Sequence, residues 1–291
     1  MTPCVSNSRH FLDFTHFDEH AWCVGAKRVF PMAWDTIERW IDDTFFDLAR
    51  QMRWSFLPPL MVYFAAGVSG LTSIVGTFFV KDYLDLSAAF LAGLGFWAGL
   101  PWVLKLPLGH LVDLFWRWKA VMVFVGAGLI ALSLGTMILL ITERELMAGF
   151  LPVQTWFVIS VLLAPAGYVL QDVVADAMTV EAVPETHDDG TPFSEPESKA
   201  LHTTMQTLGR FAIISGLVSV GLVNLFLFAD VEQMTTAQRV ETYARVYRLA
   251  LVIPVVSISG VLLGMLIQHK RVAKMRLAGA SEEIIATAFF K

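Results

Sequence analysis

The stretch from Phe150 to Val183 constrains the fold more than any other part of the sequence. It is long and apolar enough to cross a lipid bilayer, yet its second half carries Asp172 and Asp176. A carboxylate in hydrocarbon costs roughly 2.5 kcal/mol or more, so such a residue faces a cavity or a partner. Because residues four apart share one helix face, the two aspartates lie together on a face that cannot contact lipid. This polar face serves either a transport pathway or structural pairing between helices.

Composition supports a membrane protein with several spans. The 291 residues are 56% hydrophobic and 16% charged, whereas soluble domains carry about 25% charged residues. We predict an all-α, polytopic membrane protein with six transmembrane helices, each long enough for a hydrocarbon core about 30 Å thick. The predicted spans lie at about 58–80, 87–114, 120–141, 153–183, 201–229 and 246–268.

The segments outside the spans are predicted to lie at or near the membrane surface. Residues 1–30 form a polar tail, and residues 31–55 an amphipathic helix that lies in the membrane interface or packs on a protein. Residues 184–198 form an acidic loop, and residues 269–291 a basic tail. The histidines and cysteines match no zinc spacing. We expect no metal, no cofactor, no nucleic-acid partner and no enzymatic activity, because no metal-ligand set, nucleophile–base pair or phosphate loop is visible.

The lysines and arginines predict the orientation of the spans. Most of them fall in segments on the same side as both termini, as in residues 269–291 and in the loop with Arg117 and Lys119. Positive residues concentrate on the cytoplasmic side of membrane proteins. We therefore expect cytoplasmic termini in a multi-pass protein of the cell, or inner, membrane.

Three ionisable residues from three different spans fall at one predicted depth. Lys105, Asp172 and Arg210 lie roughly 12–17 Å from the inner surface at 1.5 Å per helical residue. We predict that they line a shared polar cavity and contact a substrate. The polar residues at neighbouring levels are Tyr168, Gln171 and Gln206, with Tyr63 as a further candidate and Asn224 nearer the outer surface. A buried structural network is the alternative, although such networks are often neutral or costly for stability.

The inner end of the second span resembles the loop between spans two and three of the major facilitator superfamily. The matching residues are Gly109, Leu111, Asp113, Arg117 and Lys119. Glycine lets two helices approach closely, and an aspartate can accept hydrogen bonds from an arginine or a helix N-terminus. The resemblance implies that Gly109, Asp113, Arg117 and Lys119 form a gating latch, which breaks as the cavity changes sides.

Three further motifs resemble the folate–biopterin transporter family of that superfamily. They are the segment Phe78 to Phe90, then Pro101, Trp102 and Lys105, and finally Asp172, Asp176, Ala177, Val180 and Glu181. The resemblance covers spans one, two and four, in the N-terminal half of a family with two six-span halves. It implies a secondary transporter of pteridine-like or other organic anions.

These observations favour a half-transporter that moves a small organic anion, with folate and pterins as candidates. Lys105 and Arg210 would bind the anion's carboxylate, and any proton coupling would pass through Asp172 or Asp176. The alternatives are a non-transporting membrane subunit that assembles another complex, and a truncated transporter fragment. Besides membrane lipid, we expect a second six-span half as partner, either a second copy or a separate chain, because a monomer would expose the mid-membrane charges to lipid.

Overall fold

The computed structural model describes residues 50–79, 86–114, 118–187 and 191–277, apart from the side chains of Leu111 and Asp113. Its helices belong to the compact unit Met52–Lys291. They are α1 (Leu57–Val68), α2 (Ser73–Phe79), α3 (Ala88–Val103), α4 (Lys105–Leu114), α5 (Lys119–Thr142), α6 (Arg144–Ala148), α7 (Val153–Ala182), α8 (Glu195–Leu227), α9 (Thr236–Ala250) and α10 (Val252–Leu277). The predicted tail 1–30 and most of the amphipathic helix 31–55 lie outside the described residues, as does the end of the basic tail beyond residue 277.

The prediction of an all-α protein with six spans is confirmed. In the part of the chain that the structure describes, six helical segments are long and apolar enough to cross a membrane. They are Trp54–Phe79, Ala88–His110, Lys119–Thr142, Val153–Ala182, Glu195–Gln233 and Thr236–Leu277, called spans one to six below. The described residues contain no strand, only an isolated antiparallel bridge between Thr186 and Pro192.

Spans three and four pack through a pair of glycines. A Cβ added to Gly126 would lie 2.8 Å from the Gly167 carbonyl oxygen, and one added to Gly167 only 2.6 Å from the Gly126 oxygen. Farther along the same helices, the Ser133 hydroxyl donates to the Ser160 carbonyl at 2.8 Å. Small residues and buried hydroxyl bonds are the usual means by which membrane helices associate closely. This contact holds α7, which carries both aspartates, firmly against α5.

A second glycine pair joins spans one and five. A Cβ on Gly67 would lie 2.2 Å from the Ile213 carbonyl oxygen, and one on Gly216 would lie 2.9 Å from the Gly67 Cα. The two backbones therefore approach so closely that no larger side chain fits between them. This contact places α8 beside α1. The helical turn that contains Arg210 lies near the N-terminal half of span one.

The second span is interrupted at Leu104, between α3 and α4. Pro101 lies inside α3 and Pro107 inside α4. Proline has no backbone N–H, so each proline leaves the carbonyl four residues earlier without its helical partner and bends the helix. The interruption makes Lys105 the first residue of α4.

Spans five and six extend beyond their predicted ends. α8 begins at Glu195, inside the predicted acidic loop 184–198, because Ser194 and Glu197 form a reciprocal capping box and proline is tolerated in a first helical turn. Span six begins at α9, which Thr235 and Gln238 cap in the same way. Its second helix, α10, continues into the predicted basic tail 269–291 as far as Leu277.

Burial differs strongly between the spans. In the most apolar 18-residue window of each span, the share of residues buried inside the protein is 50% for span three. It is only 6% for span two and 17% for span five. Spans two and five therefore lie at the periphery of the bundle, with large apolar side chains such as Phe96, Trp97 and Phe226 exposed.

Candidate functional site

Lys105 contacts both aspartates of α7. Its Nζ donates to Asp172 Oδ2 at 2.5 Å and lies 2.9 Å from Asp176 Oδ2. The aspartates are one helical turn apart on α7, so a single ammonium group reaches both from the start of α4. The exposed fractions of the side chains are 35% for Lys105, 10% for Asp172 and 48% for Asp176. The ion pairs thus extend from a buried carboxylate to an accessible one.

Tyr63 of α1 completes what we call the charge cluster, formed by Tyr63, Lys105, Asp172 and Asp176. Its hydroxyl donates to Asp176 Oδ1 at 2.5 Å, and the side chain is almost fully buried. A Cβ added to Gly209 of α8 would lie 2.8 Å from the Tyr63 ring, so this glycine provides the space for the ring. The charge cluster therefore joins spans one, two and four.

Arg210 lies beside the charge cluster without an ion pair to any described residue. It follows Gly209 on α8, is exposed, and is close enough for its charge to act on Asp172 and Tyr63. The structure therefore brings Lys105 and Asp172 into contact, as the shared depth predicts, and adds Asp176. It leaves the Arg210 guanidinium, with its fixed fork of donors, accessible to an anion.

The three neutral residues predicted to line the same cavity have different surroundings. Gln171 is buried and hydrogen-bonded elsewhere: its Nε2 donates to the Val123 carbonyl at 3.3 Å, and its Oε1 accepts from the Ser257 hydroxyl at 3.0 Å. One residue turns a helix by about 100°, so Gln171 points away from the Asp172 face. Its contact with substrate stays a prediction. Tyr168 packs against the apolar core, and Gln206 is exposed one turn before Arg210.

Lys119 is the residue of the predicted gating latch for which the described part of the chain shows an ion pair. Lys119, at the start of α5, pairs with Glu181, near the end of α7. A Cβ on Gly109 would meet nothing within 4 Å among the described residues, whereas close helix contacts occur at Gly126 and Gly167. The Asp113 side chain and Arg117 lie outside the described residues.

The pairing of Glu181 with Lys119 was not predicted from the sequence. Their positions in the sequence could have indicated the pair, because Lys119 begins span three and Glu181 lies at the end of span four. Antiparallel neighbouring spans place such ends at the same membrane surface. Asn224, which the sequence places nearer the outer surface, is buried on α8, and both of its side-chain polar atoms lack a partner among the described residues. No group of three His, Cys, Asp or Glu side chains in the described part of the chain could hold a metal ion.

Six apolar spans around a charge cluster within the helical bundle are consistent with a membrane transporter. A 60-residue stretch is 42% identical to a folate-biopterin transporter of Synechocystis sp. (strain ATCC 27184 / PCC 6803 / Kazusa). The match covers 21% of this chain and 12% of that protein. No protein-family model matches the chain, and no solved structure matches it. The match supports a relationship to transporters.

Proposed function

We propose that this chain is one half of a secondary transporter of the major facilitator type and that it moves a small organic anion. The observation that carries the proposal is the position of Lys105 between Asp172 and Asp176, with Arg210 accessible beside them. Ionisable residues inside a membrane bundle mark substrate and ion pathways by default. The partial match to a folate-biopterin transporter supports folate or a pterin as the substrate class.

Arg210 is the first contact for the anion in this proposal. Its guanidinium has no ion pair with the described residues, and a guanidinium binds a carboxylate through two parallel hydrogen bonds. Lys105 is a second cation, and it is already paired with two carboxylates. An anion can therefore engage Lys105 only when one carboxylate releases it, and this condition links binding to the state of the aspartates.

Protonation of a carboxylate provides that release. A neutral carboxyl group attracts the ammonium of Lys105 far less than a carboxylate does. The proton therefore weakens one ion pair and increases the positive charge available to the anion. We assign the coupling to Asp172, because it is the more buried of the two aspartates and lies deeper in the predicted span. Asp176 is held by Tyr63 and keeps Lys105 in place during the exchange.

The proposal includes a second six-span half. Spans two and five bury the least surface within this chain, and Arg210 is exposed on span five. Each charge exposed to lipid at mid-membrane costs about 2.5–3.5 kcal/mol on insertion scales. In transporters with repeated halves, the substrate binds near the midplane between the repeats. A second copy or a separate chain would cover this face and form the other wall of the cavity.

Uptake by reconstituted vesicles tests the proposal. The purified chain, alone and with any co-purifying membrane partner, is placed in lipid vesicles, and uptake of labelled folate is measured with and without an inward proton gradient. We expect saturable uptake that unlabelled pterin inhibits and that the gradient increases. If the correctly inserted complex neither binds nor takes up folate, pterins or simple aromatic carboxylates, the transport proposal is wrong and the role of an assembly subunit replaces it.

A further inference from the structure

A separate cavity lies at the ends of spans one, three, four and six. Its volume is about 950 Å³, and Lys119, Glu181 and Arg271 are among its lining residues. The start of α5, the end of α7 and the end of α10 meet there, on the side that the lysines and arginines predict to be cytoplasmic. The lining away from these charged residues is mainly apolar, with Val174, Met178, Leu262 and Met265 among its residues.

This cavity is distinct from the charge cluster. Val174 and Met178 line it, whereas Asp172 and Asp176 do not. At 100° per residue, Val174 points roughly 200° away from Asp172 around α7, which is nearly the opposite face. Span four therefore separates two sites. Its aspartates face the charge cluster with spans one and two, and its apolar side chains on the other face line the cavity with spans three and six.

The edge of the cavity is positively charged and continuous with a basic segment. Lys119 is paired with Glu181, but Arg271 forms no ion pair with a described residue. Arg271 belongs to a run of cations at the end of span six that also includes Lys270, Lys274 and Arg276. A cluster of four or more lysines and arginines directly after a membrane helix, on its cytoplasmic side, is typical of binding to anionic lipid headgroups.

The apolar part of the cavity opens towards lipid. Leu262, Met265 and Leu266 all line it, yet all three remain exposed. A small soluble anion would leave these side chains uncovered, whereas an acyl chain would cover them. The cleft between the helices is open and apolar, and the Arg271 guanidinium at its mouth has no ion pair with a described residue. These two features match the two chemical parts of a phospholipid.

We infer that this cavity binds one anionic phospholipid of the cytoplasmic leaflet. Its phosphate lies against Arg271, whose planar guanidinium binds phosphate oxygens in pairs. One acyl chain occupies the cleft bounded by Met178, Leu262 and Met265. The lipid would fill the space between spans one, three, four and six, next to the Lys119–Glu181 pair.

The first experiment measures lipid retention by the intact chain. The protein is purified from mixed micelles that contain equal amounts of phosphatidylglycerol and phosphatidylcholine, and the retained lipids are counted by native mass spectrometry. Arg271→Gln should lower phosphatidylglycerol retention about fivefold, the typical effect of one cation near an anionic surface. The matched control is Arg276→Gln, which removes the same charge from the same helix at a residue that does not line the cavity. Equal losses in both variants would show general attraction to a basic segment and overturn the inference.

A second pair of variants tests the acyl-chain cleft. Gly264 lines the cavity, and its nearest atom to an added Cβ is a Pro58 carbon at an ordinary 3.4 Å. Gly264→Leu should therefore fill the cleft and lower retention of both lipids, while the thermal unfolding midpoint stays near that of the control Gly128→Leu. A Cβ on Gly128 meets nothing within 4 Å among the described residues. Unchanged phosphatidylglycerol retention by a folded Gly264→Leu chain would overturn the inference, as would displacement of the lipid by glycerol phosphate alone.

Discussion

Lys105 and Asp172 are 67 residues apart in the sequence and 2.5 Å apart in the structure. The contact joins the interrupted second span to the fourth, and Asp176 binds the same ammonium group from the next turn. The two carboxylates carry one negative charge more than the lysine that they share. Arg210 brings the local sum to neutral without forming an ion pair to any described residue. An incoming anion would therefore disturb a balanced set of charges, and a proton would restore the balance.

We predict that Lys105→Gln destabilises the protein and abolishes transport. Removal of the ammonium leaves Asp172 and Asp176 without their shared partner, at a cost of about 1–3 kcal/mol. The double variant Lys105→Gln with Asp172→Asn should recover abundance and thermal stability, because one of the stranded charges is gone. It should not recover uptake. Thermal unfolding in detergent and vesicle uptake measure the two effects separately, and full uptake by the double variant would refute a role for Lys105 in binding.

Replacement of Arg210 has a different expected result. Arg210→Gln should remove anion binding, with at least a tenfold rise in the apparent Kd from the loss of about 1.5–3 kcal/mol in charged hydrogen bonds. Stability should stay unchanged, because the guanidinium has no ion pair with the described residues. The exposed Arg245 of α9 provides the control, and Arg245→Gln should bind like the wild type. Titration of labelled ligand into the purified complex measures this. A loss of folded protein in the Arg210 variant alone would indicate a structural role.

The coupling assignment predicts distinct effects of the two aspartates. Asp172→Asn should abolish the dependence of uptake on pH while exchange of internal for external ligand continues. Asp176→Asn should retain the pH dependence, because the buried carboxyl still exchanges its proton. Uptake and exchange are measured at several external pH values in the same vesicles. Wild-type pH dependence in Asp172→Asn would contradict the assignment.

The sequence predicted the class of fold because length and apolarity decide it locally. Six long, mainly apolar runs can satisfy their backbone hydrogen bonds in lipid only as helices. Depth counting also placed Lys105 and Asp172 at one level, and the structure brings them into contact. The sequence alone could not give the rotation of each helix about its own axis. This rotation decides whether Gln171 faces the aspartates or the Ser257 hydroxyl. Rotation depends on contacts between distant residues, such as Gly126 with Gly167, that a local pattern does not contain.

The glycine contact between spans three and four predicts a sharp position dependence. Gly167→Val should lower the thermal unfolding midpoint strongly, because its Cβ would approach the Gly126 carbonyl oxygen to 2.6 Å and force the helices apart. Gly135→Val, on the partner span three, is the control, since a Cβ there meets nothing within 4 Å among the described residues. Overpacking of this kind typically costs about 1–3 kcal/mol. Equal midpoints for the two variants would show that spans three and four do not pack through this pair.

The last prediction concerns the exposed face. Only 6% of the most apolar window of span two and 17% of that of span five are buried, and the accessible Arg210 lies on span five. Lipid can cover the apolar side chains of these spans but not a guanidinium at mid-membrane, where exposure costs about 2.5–3.5 kcal/mol. We therefore expect the functional unit to contain a second six-span half against spans two and five. A closed two-fold arrangement of identical chains is one way to supply it, and a separate chain is the other.

Native mass measurement after gentle detergent extraction distinguishes these assemblies. A complex with twice the mass of this chain indicates a second copy, and an additional membrane protein of another mass indicates a separate half. Phe96→Cys and Trp97→Cys on the exposed face of span two should then form cross-links to the partner. Cysteine at Gly128, which is exposed on span three, should not. A monomer that binds ligand and keeps Arg210 in lipid would contradict the prediction, because such a monomer would have to tolerate a charge that nothing covers.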